Sequence, residues 1–172
     1  MIHLYSGDGK GKTSIATGMA VRAAGAGRSV TLARFMKGGE SAELAPLKKL
    51  GVRVIEAEKK FPFFSQMTEA EKAEITTCHN RILAEVINVI HSPAEKGQLI
   101  IFDEITYPVS FGLIDIDKLK ALLANVSEQV ELVMTGRDPA DFLVEAADYH
   151  SELVKKRHPY DDGISARYGI EY

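Results

Sequence analysis

The sequence is poor in residues that staple or anchor a chain. Its one cysteine among 172 residues, Cys78, excludes an internal disulfide, and no cysteine and histidine spacing cages a structural zinc ion. This usage fits intracellular chemistry. No apolar run approaches the roughly 20 residues that cross a bilayer. From Met1 the chain passes directly into Ile2-His3-Leu4-Tyr5, without the basic region and cleavage site of a leader. We therefore expect a soluble, cytoplasmic protein with no membrane partner. A surplus of one charge sign is also lacking: 21 basic groups against 24 acidic ones leave a net charge of -3 and a pI near 6.0. That balance argues against a chain whose main business is coating nucleic acid, while allowing local basic patches.

The chain is long enough to bury roughly two thirds of the surface exposed when unfolded, so one core needs no staple. With no repeat, low-complexity tract or dividing linker, residues 1–172 read as a single domain. Short apolar runs rich in branched residues alternate with segments of helical period. Strands are expected at Ile2-Tyr5, Ser29-Phe35, Val52-Ala57, Gln98-Asp103, Gln129-Thr135 and Tyr149-Val154, and helices at 13–26, 41–50, 68–92, 115–126 and 138–146. This alternation predicts an α/β fold: a doubly wound, mainly parallel sheet of about six strands, like that of P-loop NTPases. Thr68-Glu69-Ala70-Glu71 forms a capping box for the long helix, on which Ile75, Cys78, Ile82, Val86 and Val89 mark one face. Asp138-Pro139 suits a helix start just after Arg137. Segments 36–41, 58–66 and 104–113 and the last twenty residues read as irregular.

Groups that suggest chemistry fall just after strands, on the rim where doubly wound sheets bind ligands. The strongest is Ser6-Gly7-Asp8-Gly9-Lys10-Gly11-Lys12-Thr13, between a strand and a helical run. It reads as a phosphate loop. Glycines let backbone N–H groups turn toward phosphate oxygens, the helix N-terminus adds partial positive charge, Lys12 neutralises anion and Thr13 offers a hydroxyl to magnesium. Serine stands at position 6, where the strict pattern has glycine. Two lysines at a helix start oppose its dipole unless an anion is present, which weighs against an unliganded turn. After the apolar Leu99-Ile100-Ile101-Phe102 come Asp103 and Glu104, placed to hold magnesium or its waters; an acidic strand end satisfied by a helix cap is the bland alternative. Thr135-Gly136-Arg137 ends the next strand, leaving Arg137 open to either a phosphate fork or a surface salt bridge. His3, His79, His91, His150 and His158 show no compact ligand spacing. Lys155-Lys156-Arg157 reads first as a solvated run, with anion guidance as the alternative.

Together these residues resemble the P-loop ATP:corrinoid adenosyltransferases, which form the cobalt-carbon bond of coenzyme B12 and its precursors. Nearly the whole chain takes part. Besides the phosphate loop, the resemblance rests on Arg34-Phe35-Met36-Lys37-Gly38, Phe102-Asp103-Glu104-Ile105-Thr106-Tyr107, Thr135-Gly136-Arg137 and Ala147-Asp148. It closes with Lys156-Arg157-His158-Pro159-Tyr160-Asp161-Asp162-Gly163-Ile164 and Ala166-Arg167-Tyr168-Gly169-Ile170-Glu171-Tyr172.

The resemblance implies attack of a cobalt(I) corrinoid on the 5′ carbon of ATP, with triphosphate leaving. Lys12, Glu104 and Arg137 would then be the catalytic residues, acting on triphosphate charge, with no protein base required. Ser6, Gly7, Asp8, Gly9, Lys10, Gly11, Lys12, Thr13 and Arg137 would bind the nucleotide. Thr13, Asp103 and Glu104 would hold Mg2+, with Mn2+ as an alternative ion. Phe61 and Phe63 fall where the family excludes the corrinoid's lower ligand, although one relative has tryptophan at the second position; packing beneath a loop is their bland alternative. The family also implies a flavoprotein reductase as electron donor and a homodimer. Strand one starts at Ile2, so the N-terminal lid of some members is expected to be absent. Competing readings are a small P-loop kinase or ATPase, and a non-catalytic ATP-gated corrinoid-binding protein.

Overall fold

The computed structural model describes residues 1–39 and 41–172; Glu40, in the segment expected to be irregular, lies outside them. Among the described residues six strands form one sheet: β1 (Ile2–Ser6), β2 (Ser29–Arg34), β3 (Arg53–Ile55), β4 (Gln98–Asp103), β5 (Val130–Thr135) and β6 (Tyr149–Glu152). Their order is β3-β2-β4-β5-β1-β6, and every pairing is parallel. The expected α/β class is observed.

The central strand shows why. β4 is buried at all its positions, as a run of Leu, Ile, Ile and Phe requires when helices cover both faces. Successive side chains point opposite ways, so Ile100 and Phe102 enter one core while Leu99 and Ile101 enter the other. The first core packs under α3 (Glu69–Ile90), α5 (Ile116–Ala124) and α6 (Asp141–Glu145), with Ile82, Leu83, Val86, Leu119 and Leu143 buried. The second packs under α1 (Lys12–Gly25) and α2 (Leu44–Lys49), where Ala16 and Ala20 let α1 lie close to the sheet. A smaller cluster of Met67, Ile75 and Leu113 supports Met36, Phe61 and Phe64 beside the carboxyl rim.

Helix boundaries follow local chemistry. The capping box of α3 is present, with Thr68 Oγ1 accepting the Glu71 N–H and the Glu71 carboxylate accepting the Thr68 N–H. Asp115 caps α5 by accepting the Lys118 N–H at 3.0 Å. Several expectations need correction: short 3₁₀ turns occupy Phe64–Gln66 and Pro159–Asp162 within segments read as irregular, and β3 and β6 are shorter than the runs 52–57 and 149–154. The helix placed at 138–146 starts only at Asp141, because Asp138 is left-handed with φ 44 and Ala140 takes the capping position. The stretch 104–113 contains a short helix, α4 (Thr106–Ser110), supported by burial of Thr106, Pro108 and Val109. No helix among the described residues is long and apolar enough to cross a membrane.

His79 joins α3 to the rim. It is 1% exposed; its Nδ1 pairs with the Leu113 carbonyl at 3.1 Å and its Nε2 with the Met36 N–H at 3.2 Å. Together these bonds define the neutral tautomer, with Nδ1 donating and Nε2 accepting. Burial pushes the His79 pKa down from 6.5 to about 4. Unfolding therefore frees a stronger base, so His79's contribution to stability is complete above about pH 6.5 and is lost as pH falls toward 4. We expect stability from urea unfolding to drop between about pH 7 and about pH 4 by about 3 kcal/mol more in the wild type than in His79→Gln. Equal losses in the two proteins would refute this coupling.

Candidate active site

Four neighbouring strands, β2, β4, β5 and β1, deliver the polar groups to one edge of the sheet. The backbone leaves ordinary conformations there. The non-glycine residues with positive φ, Met36 (55), Glu104 (63) and Asp138 (44), each lie just beyond β2, β4 or β5. Such backbone costs about 1–3 kcal/mol per residue and persists where surrounding contacts impose it.

After β1, the phosphate loop runs into α1. Gly11, at φ 121, precedes a helix with no side-chain cap and no acid in its first turn, leaving amide dipoles for an anion. Lys12 is 8% exposed, and its Nζ donates to the Gly7 and Gly9 carbonyls at 2.6 and 2.8 Å. Burial lowers its pKa, opposed by Glu104 and assisted by Arg137. Gly7 and Gly9 must be glycine because a Cβ at either would collide with the Leu153 backbone.

The other loop residues are tied to the segment after β6. The Gly9 N–H donates to the Leu153 carbonyl at 2.7 Å, and Asp8 Oδ1 accepts the Lys155 N–H at 2.9 Å. Lys10 pairs with Glu171 at 2.8 Å, and Ser6 Oγ bonds with His150 Nε2 at 2.8 Å. Thus Asp8 and Lys10, expected to face nucleotide, contact the C-terminal segment here. Ser6, where the strict motif has glycine, anchors β1 to β6. The Glu171 carboxyl is held at about 2 by hydrogen bonds from Arg167 and Lys10.

Across the rim, Asp103 is 1% exposed and gathers three donors. Oδ1 accepts the Thr13 hydroxyl at 3.0 Å and the Thr135 hydroxyl at 2.7 Å; Oδ2 accepts Lys37 Nζ at 2.8 Å. Lys37 Nζ also lies 3.2 Å from Thr13 Oγ1 and 3.5 Å from Glu104 Oε1. An ammonium therefore stands among the three residues expected to hold magnesium. Glu104 Oε2 and Thr106 Oγ1 are buried without a partner among the described residues. Hard oxygen donors around a cation, with an acceptor atom to spare, fit Mg2+ completed by phosphate and water. No group of three or more His, Cys, Asp or Glu among the described residues has metal-binding geometry; two carboxylates and one hydroxyl would leave the remaining positions around such an ion to water or phosphate.

Arg137 is exposed and makes no ion pair among the described residues, although its charge reaches Asp8, Lys12 and Tyr107. The salt-bridge alternative finds no support in this arrangement. Of the other histidines, His3 pairs with Glu131 and stacks on Tyr149, His150 holds Ser6, and His158 accepts the Tyr160 N–H.

An open groove of about 820 Å³ adjoins the acidic pair. Lys37 and Glu104 line it together with five aromatic residues, Phe61, Phe63, Phe64, Tyr107 and Phe111, and with Met36 and the rest of segment 62–66. Phe64 stacks on Phe111 at 4.1 Å, so it and Phe61 are partly packed, whereas Phe63 is 82% exposed. A second groove of about 470 Å³ joins Thr13 and Lys37 to Phe61, Phe63, Glu171 and Tyr172.

Sequence reasoning missed Lys37, Thr135, Tyr107 and Phe111 as site residues. Lys37 and Thr135 had a usable signal, being polar groups at or just beyond the carboxyl ends of apolar strands. The two aromatics needed the path of α4.

A glycine-rich loop before an uncapped helix, facing acids from a buried parallel strand, defines a P-loop nucleotide-binding protein. The family model described as ATP:corrinoid adenosyltransferase BtuR/CobO/CobP matches residues 1–172, and the chain belongs to that family. It is 30% identical to the corrinoid adenosyltransferase of Escherichia coli K12, over 100% of this chain and 85% of that protein. Corrinoid adenosyltransferase CobA of Salmonella typhimurium is also 30% identical, with the same shares covered. The Pseudomonas aeruginosa corrinoid adenosyltransferase is 26% identical over 98% of this chain and 82% of that protein.

Thr135 offers a test of the acidic corner. Its hydroxyl donates to Asp103 and accepts the N–H of strained Glu104 at 2.9 Å. Thr135→Val is expected to cost about 1–3 kcal/mol in urea unfolding because it strands both buried partners. Thr135→Ser should restore most of that loss; an unchanged stability in Thr135→Val would contradict the role.

Proposed function

We propose that the protein transfers the 5′-deoxyadenosyl group of ATP to cobalt(I) of a corrinoid, releasing triphosphate. The observation carrying this reading is the shared wall: Glu104 and Lys37 border both the phosphate-loop corner and the large aromatic groove. A kinase needs an acceptor hydroxyl near the terminal phosphate. An adenosyltransferase needs room for a broad, flat macrocycle beside the nucleotide, which this groove offers.

In the reaction, cobalt(I) supplies an electron pair to C5′, the cobalt-carbon bond forms, and the C5′–O bond breaks. That bond's electrons leave with triphosphate, while cobalt becomes formally cobalt(III). Cobalt(I) is already a strong nucleophile, so the residues have two tasks. Lys12, the α1 N-terminus and Arg137 disperse the charge gained by triphosphate, and the two grooves align C5′ with cobalt. Thr13, Asp103 and Glu104 would hold Mg2+, or Mn2+ in its place, which when bound neutralises phosphate charge. Phe63, with Phe61 lining the same groove, serves as an apolar wedge that disfavors a lower cobalt ligand. Its exposure supports that role. The family resemblance further supports a cytoplasmic homodimer supplied with electrons by a flavoprotein reductase.

Anaerobic incubation with cobalt(I) corrinoid, ATP and Mg2+ tests the reading. It should yield triphosphate and a light-sensitive alkylcobalt spectrum; ADP would instead indicate a kinase or ATPase, and bound ligands without product a carrier. Lys12→Ala should lower turnover about a hundredfold or more. Phe63→Ala should impair corrinoids carrying a lower ligand more than those lacking one, and equal losses would rule out the wedge.

A further inference from the structure

The ammonium of Lys37 lies where a divalent cation would meet Thr13, Asp103 and Glu104, at 3.2, 2.8 and 3.5 Å from their oxygens. Its loop is fixed on both sides. Met36 is left-handed, with φ 55 and its N–H on His79; Gly38 lies so close to the Lys59 backbone that a Cβ would collide there. The backbone of Lys37 thus has little room to retreat, whereas its side chain, 32% exposed, can rotate toward the adjoining grooves. A divalent ion and an ammonium cannot share these oxygens without strong repulsion in so buried a corner.

We propose that Lys37 is a displaceable counter-ion of the metal site: it neutralises the acidic pair before loading, then is expelled by the divalent cation to become a binding group for triphosphate. The triphosphate half of this inference rests on the nucleotide reading above; the displacement half rests on the Lys37 contacts alone. Divalent metal by itself must evict an ammonium that has no new anion to meet. Metal arriving with a polyphosphate gives that ammonium a partner. Metal and polyphosphate should therefore bind cooperatively, with Lys37 carrying much of the coupling.

The test titrates Mn2+ into protein without corrinoid, following the free-ion electron paramagnetic resonance signal, with and without inorganic triphosphate. Lys37→Met is expected to bind Mn2+ alone about tenfold or more tightly than wild type, and to gain less affinity when triphosphate is added. Unchanged or weaker binding of Mn2+ alone, or an undiminished gain from triphosphate, would overturn the proposal. Should Lys37→Met not fold by far-ultraviolet circular dichroism, Lys37→Gln makes the same comparison. Failure of the wild-type protein to form an alkylcobalt product would reject the adenosyltransferase reading separately, since the Mn2+ titration contains no corrinoid.

Discussion

The site depends on one buried carboxylate. Asp103 receives hydrogen bonds from α1 through Thr13, from β5 through Thr135 and from the turn after β2 through Lys37. A carboxylate removed from water is costly unless its lone pairs are occupied, and here three separate parts of the chain occupy them. The requirement works in both directions. Asp103 holds those segments in register, and they allow a charged group to remain at the end of a fully apolar strand. Glu104, projected sideways by its left-handed backbone, can then face the aromatic groove instead of continuing the strand.

Much of the architecture was legible because it depends on short-range rules. Branched apolar runs marked β1, β2, β4 and β5, period and capping marked α3, and glycine spacing marked the phosphate loop. The same rules failed where the backbone departs from common conformations. Asp138-Pro139 has good helix-start chemistry, yet the left-handed Asp138 after β5 delays α6 to Asp141. The five-residue α4 is too short to form reliably on its own and is maintained by packing of Thr106, Pro108 and Val109.

The acidic pair and phosphate loop were readable individually, but their bridge was not. Lys37 and Asp103 lie 66 positions apart, and Thr135 and Asp103 lie 32 apart. Only the order β2-β4-β5-β1 makes them neighbours. The net charge of -3 similarly concealed their local balance. Lys37 pairs with carboxylates at 103 and 104, and Glu104 also acts on the charge of buried Lys12, so a small overall charge coexists with strongly interacting ions.

β6 is the least protected strand, with all four residues exposed and one neighbouring strand for support. It is followed at once by Leu153, whose carbonyl holds the Gly9 N–H and whose backbone confines Gly7 and Gly9. The phosphate loop therefore has one side built into the rigid centre of the sheet and another built on its frayable margin. Opening at that margin would free the Gly9 amide for a phosphate oxygen without disturbing either hydrophobic core, so the cost of reshaping the loop around a polyphosphate would be local.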